Sequence, residues 1–112
     1  MALIITTNNP CDIIRRFREL VNNNQIQTWQ VDSDGDYTIS REQWRFQAWM
    51  RPMVDGNNKL IFRFISSTKH PITRALYGVF HGRLAATLLA HFDTDMERLE
   101  ITPLLAHGID IY

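Results

Sequence analysis

The sequence predicts an α+β fold: an N-terminal helix, a four-stranded antiparallel meander, a long second helix packed on the sheet, and a short C-terminal strand or turn. Three observations predict it. An apolar stripe at helical spacing follows Pro10, apolar and polar residues alternate in two hairpin-like segments, and a long segment with few charges precedes the tail. A chain of 112 residues has the size of one domain, so we expect residues 1–112 to form a single unit.

Composition limits the classes of function that fit this chain. It carries 12 basic and 12 acidic residues, which argues against a general polyanion binder, and its hydrophobic fraction of 45% is ordinary for a globular domain. Cys11 is the single cysteine, so no disulfide can form within the chain and a cytoplasmic location is expected. The most hydrophobic window, Ala75 to Phe92, is interrupted by His81, Arg83 and His91, so we expect no membrane span.

The N-terminal region predicts one helix. Ala2 to Thr6 is compatible with a short strand or a loose arm. Asn8 or Asn9 is a candidate cap for the helix that follows, and Pro10 suits its first position. The apolar residues that come next keep to one side of a helix, and they are Ile13, Ile14, Phe17, Leu20 and Val21. We therefore predict a helix from Pro10 to about Val21.

The segment from Gln25 to Ser40 predicts a first hairpin. Its tip is polar and contains Gly35, which suits a type I turn closed by a bulge in the left-handed region. That turn pairs Val31 with Tyr37 and Trp29 with Ile39, which places all four side chains on one face. A two-residue turn would split this apolar set between two faces, so the hydrophobic pattern favours the bulged turn.

Three aspartates at the same tip raise the possibility of calcium binding. The spacing of Asp32, Asp34 and Asp36 is similar to the opening of an EF-hand loop. That motif requires glycine at its sixth position, which is Tyr37 here, and glutamate at its twelfth, which is Gln43. We therefore interpret the tip as a polar hairpin turn and predict no metal site.

A second hairpin is predicted from Trp44 to Ile65, with strands from Trp44 to about Met53 and from Lys59 to Ile65 joined by a turn at residues 54–58. Period-two alternation assigns one set of its side chains to the core, namely Trp44, Phe46, Ala48, Met50, Leu60, Phe62 and Phe64. The opposite set is unusually apolar for a solvated face, and it comprises Arg45, Gln47, Trp49, Arg51, Ile61, Arg63 and Ile65.

The second helix is predicted from about Pro71 to Phe92. Gly78, Gly82 and Ala86 repeat at four-residue spacing and form a smooth ridge, with bulky apolar residues on the opposite side. Each interior glycine costs about 1 kcal/mol relative to alanine, so we expect the ridge to pack closely, either on the sheet or across a two-fold axis. The remaining side of this helix needs a cover too, from the first helix or a second copy of the chain.

The tail predicts only short elements. Asp93 to Asp95 is a turn-like acidic group, and Leu99 to Thr102 alternates as a short strand does. Thr102-Pro103 suits the start of one helical turn through His107, and Ile109 to Tyr112 suits a final short strand.

No sequence pattern indicates catalysis, a cofactor or a metal. The four histidines are His70, His81, His91 and His107, and none belongs to a spacing that binds zinc. Glycine-rich phosphate loops and a GxSxG context are absent from the sequence. Cys11 lies in the first helical turn without an identifiable base. We therefore predict no catalytic residue, and the chain is more plausibly not an enzyme.

The leading functional prediction is a protein-interaction domain of unknown specific role that binds itself, as a homodimer or other oligomer, or another protein. There are more apolar positions than core sites to receive them, and excess apolar surface usually marks an interface. The predicted interaction residues lie on the second sheet face and on the helix ridge, and they are Trp49, Ile61, Ile65, Gly78, Gly82 and Ala86.

Two alternatives belong to other classes. A single-stranded nucleic acid could bind the second sheet face through Arg45, Arg51 and Arg63, with Trp49 and either Tyr37 or Trp29 as stacking surfaces.

A small ligand or substrate could instead occupy a pocket between sheet and helix. The residues expected to line such a pocket include Trp44, Tyr77, His81 and Arg83.

Overall fold

The computed structural model describes residues 2–41, 43–69 and 71–103, and it confirms the α+β class. Six strands, two main helices and one 3₁₀ turn follow in order. They are β1 (Ala2–Thr6), α1 (Pro10–Asn22), β2 (Trp29–Val31), β3 (Tyr37–Ile39), β4 (Ala48–Asp55), β5 (Lys59–Ser66), α2 (Arg74–Phe92), the 3₁₀ turn (Asp93–Asp95) and β6 (Arg98–Ile101). No helix in the described ranges is long and apolar enough to cross a bilayer.

The strands form one antiparallel sheet in the order β2-β3-β4-β5-β1-β6. The predicted four-stranded meander is therefore present as β2 to β5. The N-terminal segment is a strand rather than a loose arm, and it pairs with β5 on one side and β6 on the other. The two ends of the described part of the chain are hydrogen-bonded: the backbone N–H of Thr102 donates to the carbonyl of Ala2 over 3.1 Å.

The first hairpin has the predicted register. Trp29 pairs with Ile39 and Val31 with Tyr37. Gly35 has a φ of 84°, so the left-handed residue that closes the turn is the one that the apolar pattern required. Trp29, Tyr37 and Ile39 are buried, and Val31 is partly buried against the same core.

The first strand of the second hairpin starts later than predicted. β4 begins at Ala48, and the backbone N–H groups of Trp44 and Arg45 both donate to the carbonyl of Arg41. The segment therefore turns locally and leaves Phe46 53% exposed with a φ of 64°, so its assignment to the core is wrong. Trp44 is half-buried against the core. β4 ends at Asp55, whereas the predicted turn begins at residue 54.

The side chain of Thr38 stabilises this turn. Its hydroxyl donates to the carbonyl of Ala48 over 2.9 Å and accepts the backbone N–H of Phe46 over 3.2 Å. A buried side chain thus satisfies backbone groups that a continuous ladder would otherwise have paired. Alternation of residue types in the sequence does not reveal that a side-chain hydroxyl takes the place of a backbone partner.

Both helices pack on the same face of the sheet. Strand register places Leu3, Met50 and Phe62 on that face. The buried side chains of the two helices that meet it are Ile13, Phe17 and Val21 from α1 and Leu76, Phe80, Leu84, Leu88 and Phe92 from α2. A single core therefore forms between one sheet face and the two helices that pack on it.

The second helix begins three residues after the predicted start. Thr73 has extended dihedral angles of −115° and 162°, and its hydroxyl accepts the backbone N–H of Leu76 over 3.0 Å. This is an ordinary threonine N-cap, which sets the first helical residue at Arg74. At the other end of the chain, the predicted turn through His107 and the predicted strand from Ile109 lie outside the described residues.

Core truncation tests the assignment of the sheet face. Phe62 and Phe64 are fully buried, so changing either to alanine should remove about 3–5 kcal/mol from the free energy of unfolding. Urea unfolding of Phe62→Ala, compared with the exposed-site variant Phe46→Ala, measures this loss. If the urea midpoint of Phe62→Ala lay within a few tenths of a molar of the parent's midpoint, the core assignment would be contradicted.

Candidate interaction surfaces

The sheet face opposite the helices carries a half-apolar surface. Strand pairing aligns Trp49 with Ile65 in one cross-strand row, Arg51 with Arg63 in the next, and Met53 with Ile61 in a third. Ile4 of β1 extends the third row. Trp49 and Ile65, two of the predicted interaction residues, are half-buried and so remain partly accessible. Ile61 lies on this face but is only 5% exposed, so this predicted interaction residue offers little surface to a partner.

Phe46 is the residue of this surface that sequence reasoning missed. Its ring lies 6.5 Å from that of Trp49 with an interplanar angle of 25°, so the two aromatics form one exposed platform. We call Phe46, Trp49 and Ile65 the aromatic patch. A bulky residue at positive φ is rare because its Cβ crowds the backbone. The alternation pattern contained no signal for this conformation, since it assigned Phe46 to the opposite face.

The arginines beside the aromatic patch differ in their partners. Arg51 makes two 2.8 Å bonds to the carboxylate of Asp36, which is 7% exposed. These bonds raise the pKa of Arg51, and they neutralise its charge. Arg45 instead donates from Nε and Nη2 to the carbonyl of Ser40, a neutral group, while its guanidinium lies 5.9 Å from the centre of the Phe46 ring.

The geometry weakens the nucleic-acid hypothesis. Tyr37 and Trp29, the two further stacking residues proposed for it, are buried in the core on the other side of the sheet. Arg51 is already held by a carboxylate. Of the predicted contacts, Arg45, Arg63 and Trp49 therefore remain on the face together.

The outer side of α2 is the second candidate surface. Gly78 and Gly82 are exposed, and a Cβ added to either would meet no atom within 4 Å. The predicted ridge therefore does not pack on the sheet, and that alternative is wrong. Every exposed residue from 75 to 90 is apolar or glycine. We call this set the outer face of α2, and its members are Ala75, Gly78, Gly82, Ala86, Leu89 and Ala90.

The first helix does not cover the outer face of α2. Phe17 and Arg16 of α1 contact α2 at Phe92, its last residue, where the ring centroids of Phe17 and Phe92 are 6.3 Å apart. Phe92 belongs to the buried side of α2. A surface helix normally carries charged or polar residues on its solvent side, so an uncharged outer face needs another explanation.

Tyr77 and His81, the predicted pocket residues, lie together in the core. Their ring centroids are 4.1 Å apart, and His81 also packs 5.4 Å from Phe64. The Nδ1–H of His81 donates to the carbonyl of Tyr77 over 2.9 Å, while Nε2 is buried and has no partner among the described residues. Burial lowers the pKa of His81 from 6.5 to about 4, so the ring is neutral at physiological pH. These contacts are those of a packed core histidine.

The hairpin tip uses its aspartates for the turn itself. One carboxylate oxygen of Asp32 accepts the backbone N–H groups of Asp34 and Asp36 over 2.9 and 3.0 Å. Within the described ranges, no group of three or more histidine, cysteine or acidic residues could hold a metal ion. Asp32 thus stabilises the local turn, whereas the carboxylate of Asp36 binds Arg51.

Among the described residues, open cavities lie at the two ends of α1. One of about 480 Å³ is bordered by the end of α1 and by β2, and none of its lining residues is ionisable. The other, of about 350 Å³, includes Cys11 and Asp12 at the start of α1. Asp12 is bonded to Arg15 and Arg16, so this carboxylate is not a free base for the thiol.

Comparisons with protein-family models, curated proteins and solved structures find no match for this chain. Function must therefore be inferred from the two surfaces themselves.

Acid should destabilise the fold through His81. In the unfolded chain this histidine binds a proton below about pH 6.5, whereas the folded protein resists protonation down to about pH 4. Stability is therefore lost as the pH falls across this interval, by a total of about 3 kcal/mol. Urea unfolding at several pH values measures this loss of stability. His81→Phe should reduce the loss, whereas the control His91→Gln, at an exposed site, should leave it unchanged. An unchanged pH profile in His81→Phe would contradict this prediction.

The backbone at position 46 should prefer glycine to alanine. Both variants lose the phenyl ring, so their difference isolates the cost of a Cβ at a φ of 64°. We expect Phe46→Gly to be more stable than Phe46→Ala by about 1 kcal/mol, the reverse of the order at ordinary backbone angles. Chemical denaturation of the two proteins side by side measures it. Greater stability of the alanine variant would show that position 46 is not left-handed.

Proposed function

We propose that this protein is a protein-interaction domain whose binding surface is the aromatic patch on the uncovered face of the sheet. The observation that carries the proposal is Phe46, an aromatic side chain that is 53% exposed on a left-handed backbone. The ring lies in the turn that precedes β4 and stacks on Trp49, which pairs with Ile65 across β4 and β5.

The cost of displaying Phe46 supports a binding role. A left-handed backbone costs a residue such as phenylalanine about 1–2 kcal/mol, and an exposed ring recovers little of that by burial. Backbone strain of this kind tends to occur where it positions a side chain for binding. A partner that covered the ring would gain the burial that the isolated domain lacks.

The charges around the patch indicate what kind of partner fits. Arg41 is exposed and Arg45 is bonded to a carbonyl, and neither has a carboxylate partner among the described residues. Protein interfaces commonly combine an aromatic centre with arginines at the rim. We therefore propose a protein segment with a large apolar anchor residue flanked by aspartate or glutamate.

Peptide display on the immobilised protein tests this proposal. Random peptides are selected on the parent chain after depletion on Phe46→Gly, which keeps the backbone conformation and lacks the ring. The expected result is enrichment of peptides that join an aromatic or leucine residue to acidic residues. Their synthetic versions should bind the parent at least about tenfold more tightly than Phe46→Gly, a difference of about 1.4 kcal/mol.

Two further variants separate the patch from general stickiness. Trp49→Ala should weaken the same peptides, whereas Leu89→Ala, on the outer face of α2, should leave their affinity unchanged. Equal binding to the parent and to Phe46→Gly would overturn the proposal. Salt-sensitive binding of a labelled single-stranded oligonucleotide in place of any peptide would favour the nucleic-acid hypothesis instead.

A further inference from the structure

We infer that a second copy of this chain binds the outer face of α2, with the two α2 helices antiparallel across a two-fold axis. This surface lies on the opposite side of the core from the aromatic patch, so the inference is independent of the proposed function. It commits to one occupant, another α2, on three grounds: the absence of a cover from the described part of the chain, the distribution of bulk along the helix, and the charges at its two ends.

The first ground is the uncovered apolar surface. All six exposed residues between positions 75 and 90 are apolar or glycine, and neither the sheet nor α1 packs against them. The two glycines weaken the helix relative to alanine because glycine has the greater backbone freedom in the unfolded chain. Close approach of another backbone is the contact that such positions permit.

The second ground is the uneven distribution of bulk. The N-terminal half of the outer face is flat, with Ala75 and Gly78, whereas the C-terminal half carries Leu89, whose side chain is 53% exposed. In an antiparallel pair centred near Gly82, Leu89 of one helix lies over Ala75 and Gly78 of the other. The leucine side chain of each copy then packs on the alanine and glycine of the other copy. A parallel pair would oppose leucine to leucine and leave the glycines facing a gap.

The third ground is charge complementarity. Arg74 begins α2 and Asp93 follows its last residue, and neither forms an ion pair within the described part of the chain. The helix spans about 28 Å, so an antiparallel pair brings each Arg74 to the partner's acidic C-terminal end. The negative end of the helix dipole adds to this attraction. A parallel pair would oppose like charges at both ends.

The size of the surface predicts a reversible dimer. One helix pair buries less than the roughly 800 Å² per partner that standard interfaces bury. We therefore expect a monomer–dimer equilibrium that depends on protein concentration, rather than an obligate dimer. Sedimentation velocity over a range of concentrations up to about 1 mM covers this regime.

Charge exchange across the two-fold axis is the decisive experiment. Arg74→Glu and Asp93→Arg should each weaken dimerisation at least about tenfold, because each opposes like charges at both ends of the pair. The double variant, which exchanges the two charges, should restore the dimerisation constant to within about threefold of the parent. Both positions are exposed, so far-ultraviolet circular dichroism should show an unchanged fold in all variants.

Two packing variants test the contact itself. Leu89→Ala should weaken the dimer as the charge variants do. Gly82→Ala should raise the melting temperature at low protein concentration through helix propensity, and weaken the dimer at high concentration by separating the backbones. A parent chain that is monomeric up to about 1 mM overturns the inference. A dimer whose single charge variants bind normally, or whose double variant is not restored, overturns the antiparallel arrangement.

Discussion

The fold depends on the position of one side chain, Phe17. Its ring stacks on Tyr37 with centroids 4.6 Å apart and planes within 4°, and it meets Phe62 and Phe92 edge-on. Four elements, α1, β3, β5 and the end of α2, therefore converge on one aromatic group. Because planar rings pack well only in a few arrangements, this contact sets where α1 lies along the sheet and where α2 ends beside it.

That arrangement determines which surfaces stay uncovered by the described part of the chain. With both helices on one face, the domain has two layers, and no described element packs on the second sheet face or on the outer side of α2. A sheet face can meet water without difficulty when it is polar, but here it displays Phe46 and Trp49. A helix can likewise face water when its outer side is charged, but the outer face of α2 carries no charged residue. The apolar excess of the sequence thus lies on two separate surfaces on opposite sides of the described domain, and our two proposals concern these surfaces.

Polar groups in the interior decide several details of these surfaces. The hydroxyl of Thr38 holds the turn that exposes Phe46, and the carboxylate of Asp36 holds Arg51 beside it. His81 is kept neutral between Tyr77 and Phe64, away from either surface. Thr38 and Asp36 are paired with groups 8 to 15 residues away, whereas His81 is kept neutral by burial. Local patterns could not reveal those partners, and for this reason the sequence placed Phe46 in the core and left a pocket beside Tyr77 and His81 open as an alternative.

The sequence by itself determined the elements that depend on local periodicity. The helices, the meander and the pairing of Val31 with Tyr37 follow from where apolar residues recur and from one glycine that tolerates positive φ. Only the tertiary structure decided which face of each element is covered. It placed Gly78 and Gly82 outward, although their small size was equally compatible with packing on the sheet. The physical reason is that periodicity defines the faces of a helix or strand, whereas the cover over each face depends on partners from elsewhere in the chain.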